Sequence, residues 1–316
     1  MFKKIFCDIC KRNCQNEGLM NTNFIYTLLM AALLTATHCA KAQKVIFQPS
    51  DSVKIEQLLQ QGLQQPKGTC LPLFYGRHFL GLPYVAQTLE VNYIENPQEA
   101  TEQLIINTRE LDCTTFVETV CALVRTTRQG KATFTDYCRN IKQMRYQGGK
   151  LDGYASRCHY YSTWIDNAEA LGIAHELGPD DSPYFTATKN QVINFMTTHP
   201  DYYPALRAPK GKQFMPDIRK AEQSITRPQR YIPISALGKN RTQLSCIHDG
   251  DIVALVTDKA GLDVAHLGLA MWGKDGKLHF MHASSLRHKV VEEPLTLQQY
   301  QQKQKTQRGI RVIRIL

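Results

Sequence analysis

Apolar side chains recur at Phe116, Val117, Val120, Leu123 and Val124, the spacing of one helical face. The stretch RELDCTTFVETVC (109–121) therefore opens a helix predicted over about 113–128. Asp112 suits its N-cap, and Thr115 with Glu118 offers a second capping phase; either one leaves Cys113 at the helix start. The same periodicity predicts a capped helix over 50–64, with Val53, Ile55, Leu58, Leu59 and Leu63 on its apolar side. Shorter helices are expected at 97–108 and near 134–146 and 187–198. TLEVNY (88–93) reads as a short strand. Late in the chain the period changes. DIVALVT (251–257), VAHLGLAMW (264–272), KLHFMHAS (277–284) and IRVIRIL (310–316) are β-branched or apolar runs between turns, the signature of strands. Helices first and strands later indicate an α+β fold. No linker-like segment divides residues 43–316, which read as one domain with a loop-rich elaboration over about 130–245.

One apolar run fits neither class. Phe24 to Ala36 is too short to span a membrane and leads to Ala40-Lys41-Ala42, a small-x-small site of the kind signal peptidase cuts. Residues 1–42 are thus expected to be an export leader, with Met20 a plausible true start, and no stable membrane span is expected after its removal. Cys39 raises a lipid-anchored alternative, but His38 before it suits lipoprotein processing poorly. Residues 1–42 carry five basic side chains (Lys3, Lys4, Lys11, Arg12, Lys41) and two acidic ones (Asp8, Glu17), so the net charge of +10 falls to +7 without them. The remaining basic residues are scattered, with no run or aromatic-interleaved patch. An exported chain of this kind is not expected to bind nucleic acid.

Export puts the cysteines in an oxidising compartment. Cys7, Cys10 and Cys14 lie upstream of Met20 and have no downstream histidine pair. Of the rest, Cys70, Cys113, Cys121, Cys138, Cys158 and Cys246, none forms a CxxC or zinc-like spacing. Cys113 and Cys121 cannot bridge, since eight helical residues separate them by about 12 Å. At a helix start the macrodipole and free N–H groups are expected to favour thiolate at Cys113, and the same donors could hold an oxyanion.

Two histidines could serve such a thiol. His266 lies in one predicted strand and His282 near the end of the next, joined through GKDGK. A two-residue Asp275-Gly276 loop would pair Lys274 with Lys277 and turn the histidines to opposite faces. A three-residue loop, 274–276, with Gly276 at positive φ, sets His282 opposite Gly268, on the face of His266 and diagonal to it. A paired role requires the longer loop. The order is then a helix-start cysteine, a strand histidine, and a polar residue on the next strand, as in papain-like hydrolases.

LDCTTFVE resembles the nucleophile motif of NlpC-type cell-wall cysteine hydrolases. AHLGLAMW with FMHASS resembles their His-x-Gly strand and His-Ala-Ser ending, and GLPY (81–84) their Gly-x-Pro-Tyr element. FLGLPYVAQTLE, YASRCHYYSTWIDN and GDIVALVTDKAGLDVAHLGLA together are similar to one branch, the N-acetylmuramoyl-L-alanine amidase-like family, over roughly residues 70–290. One departure is Ala86-Gln87, where the wider superfamily carries glycines. The resemblance implies a papain-like NlpC-type fold, with a nucleophile helix packed on an antiparallel sheet or half-barrel. It implies an exported, periplasmic or cell-envelope amidase acting on peptidoglycan fragments (muropeptides). Cys113 would be nucleophile, His266 the base and then acid, and His282 its orienter. Tyr84 would assist at the oxyanion or position substrate. Arg157, His159 and Tyr160, from the SRxHY motif, would contact acidic peptide or sugar groups, or else form a structural polar cluster. Neither cofactor nor metal is implied. The rivals are a γ-D-glutamyl-diamino-acid endopeptidase on the same scaffold, a non-catalytic wall-binding protein, and a zinc site of Cys113, His266 and His282 that lacks a fourth ligand.

Overall fold

A parallel bridge ties the start of the described residues to the middle of the chain. β1 (Val45–Ile46) pairs with β2 (Leu104–Ile105) just before the helix that carries Cys113. The computed structural model describes residues 45–98 and 100–316. The expected leader, Cys39 and the cysteines at 7, 10 and 14 lie outside the described residues. Among the described residues no helix is long and apolar enough to cross a membrane.

The helices that matter are α1 (Pro49–Leu63), α2 (Leu71–Arg77), α3 (Cys113–Arg128), α4 (Phe134–Arg145), α5 (Tyr161–Ala170), α6 (Met215–Ile225) and α7 (Leu297–Gln302). The strands are β3 (Ala174–Glu176), β4 (Ala187–Lys189), β5 (Gln229–Pro233), β6 (Ile252–Thr257), β7 (Val264–Trp272), β8 (Leu278–Ser284), β9 (Lys289–Glu292) and β10 (Gln307–Ile315). These eight form one antiparallel sheet in the order β4-β5-β10-β6-β7-β8-β9, and β3 also pairs with β10. The loop-rich middle is therefore woven into the sheet through β3, β4 and β5.

Both faces of the sheet are covered. Ile252, Ala254, Leu267, Leu269, Met281, Ala283 and Ile313 pack with α1 to α5. Val253, Leu255, Ala270, Phe280, Ile310 and Val312 pack with Leu297 and Tyr300 of α7 and with Leu237, Leu244 and Ile247. This is why IVALVT reads as an unbroken apolar run rather than an alternating one. A third cluster, including Tyr93, Tyr154, Tyr160, Phe195, Met196 and Ile218, gives the elaboration a core of its own.

α3 is buried on nearly every side, which places it centrally. Asp112 is its N-cap, accepting from Thr115 N (2.7 Å) while Thr115 Oγ1 accepts from Asp112 N (2.9 Å). Glu118 takes no part in the cap and pairs with buried Arg145 at 2.8 Å. In α1 the buried face is Asp51, Ile55, Leu58, Leu59 and Gly62, whereas Val53 and Leu63 are exposed. Asp51 accepts from the Thr108 backbone and hydroxyl, and Gly62 lies against the Tyr75 ring, so two non-apolar residues claim the inner face.

Three short segments differ from expectation. Val91–Glu95 is helical, against the strand expected over 88–93. The described residues of 97–108 form no helix: Leu104 and Ile105 pair with β1, and Thr108 holds Asp51. The 187–198 region is β4 followed by a four-residue turn of helix, Phe195–Thr198, because 187–189 joins β5. In segments this short, tertiary pairing outweighs local propensity.

Candidate active site

The β7–β8 hairpin closes with the longer loop. Leu269 pairs with Met281 and Trp272 with Leu278, Gly273 N donates to Lys277 O (2.9 Å), and Gly276 has φ +71°. His266 and His282 thus share a face, and their rings meet: His266 Nε2 and His282 Nδ1 are 2.6 Å apart. Gly268 leaves them room, since a Cβ there would lie 2.6 Å from a Phe280 ring carbon and 3.2 Å from His282 Cβ. Next to His266 the β6–β7 register slips, Leu255 facing His266 but Val256 facing Val264. The skipped residue, Ala265, makes a bulge that re-aims the strand start carrying His266.

His282 is fully buried, stacked on Phe280 (4.1 Å between ring centroids) and edge-on to Tyr300. Beyond it stands Glu293, also buried, whose Oε2 lies 3.5 Å from His282 Nε2 and whose carboxylate is forked by Arg287 at 3.0 and 3.1 Å. Sequence reasoning missed Glu293. It sits in the strand-exit sequence VVEEP, where nothing local distinguishes it from exposed Glu292.

Cys113 and His266 line one cavity of about 130 Å³, together with His159, Tyr160, Trp164 and Tyr203. A wider groove of about 520 Å³ beside α2 is also lined by a thiol, an imidazole and a carboxylate, Cys70, His78 and Asp249, but Cys70 donates to the Asp249 carbonyl and His78 packs edge-on against Phe74. Burial pushes the Cys113 thiol up to about 12, and Asp112 adds to this; the Leu267 and Thr114 amides oppose it and are outweighed. The expected lowering at the helix start is thus reversed in the resting site. Burial and His282 push His266 down to about 3, and burial with Arg287 does the same for His282. The resting chemistry is a neutral thiol beside two neutral imidazoles.

Tyr84 is threaded between Leu111 and the start of β9, with Tyr84 N donating to His288 O (3.0 Å) and Val85 N to Leu111 O (3.2 Å). Burial raises its phenol, and Cys113 and Asp112 nearby add to this, so the hydroxyl stays neutral; Tyr84 is not among the residues that line the cavity. At the Ala86-Gln87 departure Gln87 takes φ +62°, the conformation a glycine would supply freely.

The three SRxHY residues separate. Arg157 is absent from the cavity wall: it is buried, paired with Glu90 (2.6 Å) and Glu102 (2.8 Å), and donates to Leu89 O. Its place is the structural polar cluster, not the groove contact. His159 lines the cavity with Nε2 2.8 Å from Tyr154 O, pushed down to about 3 by burial and Arg157. Tyr160 lends the cavity its ring and donates its hydroxyl away, to Glu222 at 2.7 Å. Trp164, inside the YASRCHYYSTWIDN stretch but given no role there, and Tyr203, which no motif singled out, complete the aromatic wall. The six described cysteines are all free, and among the described residues no group of three or more His, Cys, Asp or Glu is placed to hold a metal ion.

Comparison with known proteins follows the same line. No curated protein matches the chain. A Bacteroides uniformis structure named N-acetylmuramoyl-L-alanine amidase is 35% identical, with TM-score 0.68 over 81% of this chain and 99% of that one. A Bacteroides fragilis structure provisionally named a xylanase is 38% identical, with TM-score 0.68 over 77% of this chain and 100% of that one. A Legionella pneumophila protein, 21% identical with TM-score 0.63 over 84% of this chain and 95% of that one, shares the fold. The family model described as AmiA-like, N-acetylmuramoyl-L-alanine amidase-like, matches residues 74–310, which span the thiol helix, the cavity wall and both histidine strands. This chain belongs to the N-acetylmuramoyl-L-alanine amidase-like family of peptidoglycan hydrolases.

Proposed function

We propose that this protein is an exported cysteine amidase on a papain-like, NlpC-type scaffold, cleaving the amide between N-acetylmuramic acid and L-alanine in muropeptides. The observation that carries the reading is the 2.6 Å contact of His266 with His282 beside a cavity that Cys113 also lines. With its Nε2 engaged by His282, His266 has Nδ1 free to take a proton.

Because thiol and imidazole rest neutral, proton transfer accompanies attack instead of preceding it. As Cys113 Sγ adds to the lactyl carbonyl carbon, its proton passes to His266. The carbonyl oxygen gains the charge, which backbone N–H groups at the start of α3 and the Tyr84 hydroxyl are suited to meet. Collapse breaks the C–N bond, and His266 returns its proton to the leaving L-alanine nitrogen. A water, deprotonated by His266, then hydrolyses the thioester to the lactyl carboxylate and free thiol.

Glycoside hydrolysis, the activity in the name of the B. fragilis relative, uses two carboxylates facing a cleft about 5–9.5 Å apart. The two carboxylates at this cavity are committed, Glu118 to Arg145 and Asp263 to the Ser162 and Val264 amides (2.7 and 2.8 Å).

The test is mass analysis of defined muropeptides after incubation with wild type, Cys113→Ala and Cys121→Ala. Free peptide beginning at L-alanine, lost only in Cys113→Ala, supports the assignment. Cleavage after D-glutamate keeps the mechanism and replaces the substrate bond. Equal inertness of wild type and Cys113→Ala on every fragment favours a binding protein.

A further inference from the structure

The contact between two neutral imidazoles has a direction, and the buried groups around it fix that direction. In His266 Nε2 to His282 Nδ1 one nitrogen donates and the other accepts. A neutral imidazole carries one N–H, so each ring's choice at one nitrogen dictates the other. His282 Nε2 is buried, and among the described residues it has no partner in hydrogen-bonding geometry. The group it faces is Glu293 Oε2 at 3.5 Å, inside ion-pair distance.

Glu293 is ringed by donors. Arg287 Nε and Nη2 donate to its two oxygens, and Leu295 N donates to Oε1 at 3.3 Å. Every one of these partners is a donor, so the carboxyl is an acceptor throughout. A lone pair on His282 Nε2 would point at that acceptor, unpaired and out of water, whereas an N–H there is attracted to it.

We propose that Glu293 is a positioning residue that sets the proton order of the whole relay. With Nε2 protonated toward Glu293, His282 Nδ1 must accept; His266 Nε2 must then donate, and His266 Nδ1 is left as a lone pair. That lone pair is the one form of His266 able to take the Cys113 proton. The opposite order, with His282 Nδ1 protonated, would make His266 Nε2 the acceptor and place a proton on His266 Nδ1, where no base is left for the thiol. Glu293 touches neither substrate nor thiol and acts through two rings. The 3.5 Å separation is long for a hydrogen bond, as resting catalytic contacts often are before substrate tightens them.

This inference rests on His266 being the base, but its first readout needs no substrate. The protein labelled with 15N-histidine, which has ten histidines, is assigned by single His→Gln variants, and ring nitrogen shifts report each tautomer. The expected wild-type result is Nε2–H at both His266 and His282. In Glu293→Gln the side-chain amide presents either an oxygen or an NH₂ group to His282. The tautomers are then expected to mix or invert, with kcat on the amide substrate falling about 100-fold at unchanged KM. Glu293→Asp, which keeps the acceptor, should retain the wild-type tautomers. Nδ1–H at His282 in the wild type would overturn the proposal without any variant. So would a folded Glu293→Gln with unchanged tautomers. If the tautomers respond as expected while no fragment is cleaved, the relay stands and the substrate assignment falls.

Discussion

His266 and His282 belong to neighbouring strands and are 2.6 Å apart at their rings, a contact created by one extra residue in the turn that joins the strands. Since side chains alternate faces with period two, a one-residue change of register moves every side chain of β8 to the other side. Deletion of Lys274, leaving Asp275-Gly276 as a two-residue loop, is expected to separate the pair and lower activity by about 10³-fold. Lys274→Ala, which keeps loop length, should be near wild type. Turnover of both variants, with circular dichroism confirming the sheet, checks this.

Acid should unfold the protein before it silences the chemistry at the usual histidine pKa. His159, His266 and His282 are each pushed from 6.5 to about 3. Between those values the unfolded chain binds protons that the folded one refuses. Stability from these groups is therefore complete above pH 6.5 and is lost as pH falls toward 3, at up to about 1.4 kcal/mol per pH unit for each. Urea titrations from pH 8 to 4 should show the decline. Over the range where the fold persists, kcat/KM should show no inflection near 6.5, because His266 is already neutral.

Arg157 is buried between two carboxylates, which predicts a role in stability and none in substrate binding. Removing it as Arg157→Ala leaves Glu90 and Glu102 buried without their cation, at a cost of about 3–5 kcal/mol. Denaturant midpoints should fall accordingly, while KM for the surviving folded fraction stays unchanged. A raised KM with unaltered stability would return Arg157 to the groove.

Gln87 holds a left-handed conformation without being glycine. Its amide donates to Tyr202 O at 3.0 Å, an exposed bond worth little. Gln87→Gly should stabilise the protein by about 1 kcal/mol, read as a rise in melting temperature.

Much of this was legible beforehand because it depends on local periods. The span of α3, the cap at Asp112, and strands β6, β7, β8 and β10 follow from apolar spacing and turn chemistry. For His266 and His282 the sequence left two loop lengths open, one for each face, and the structure has the longer one that puts them together. What stayed hidden depends on distant partners. Arg157 looks like a binding arginine until Glu90 and Glu102, far away in sequence, are seen to surround it. Glu293 acquires meaning only where β8 and the exit of β9 meet Arg287. The thiol's raised pKa is likewise tertiary, since a helix start favours thiolate only while water reaches it.

β10 pairs along one edge with β6 and along the other with both β3 and β5. These are segments from three separate regions of the chain, and the strand joining them follows all of them in sequence. Closing the sheet therefore requires long-range loops to be ordered together, the kind of topology that folds slowly. Until residues 307–315 dock, β3 and β5 lack the strand that joins them to β6. Completion of the sheet should thus be a late step, set by the last strand of the chain and not by the hairpin that carries the two histidines.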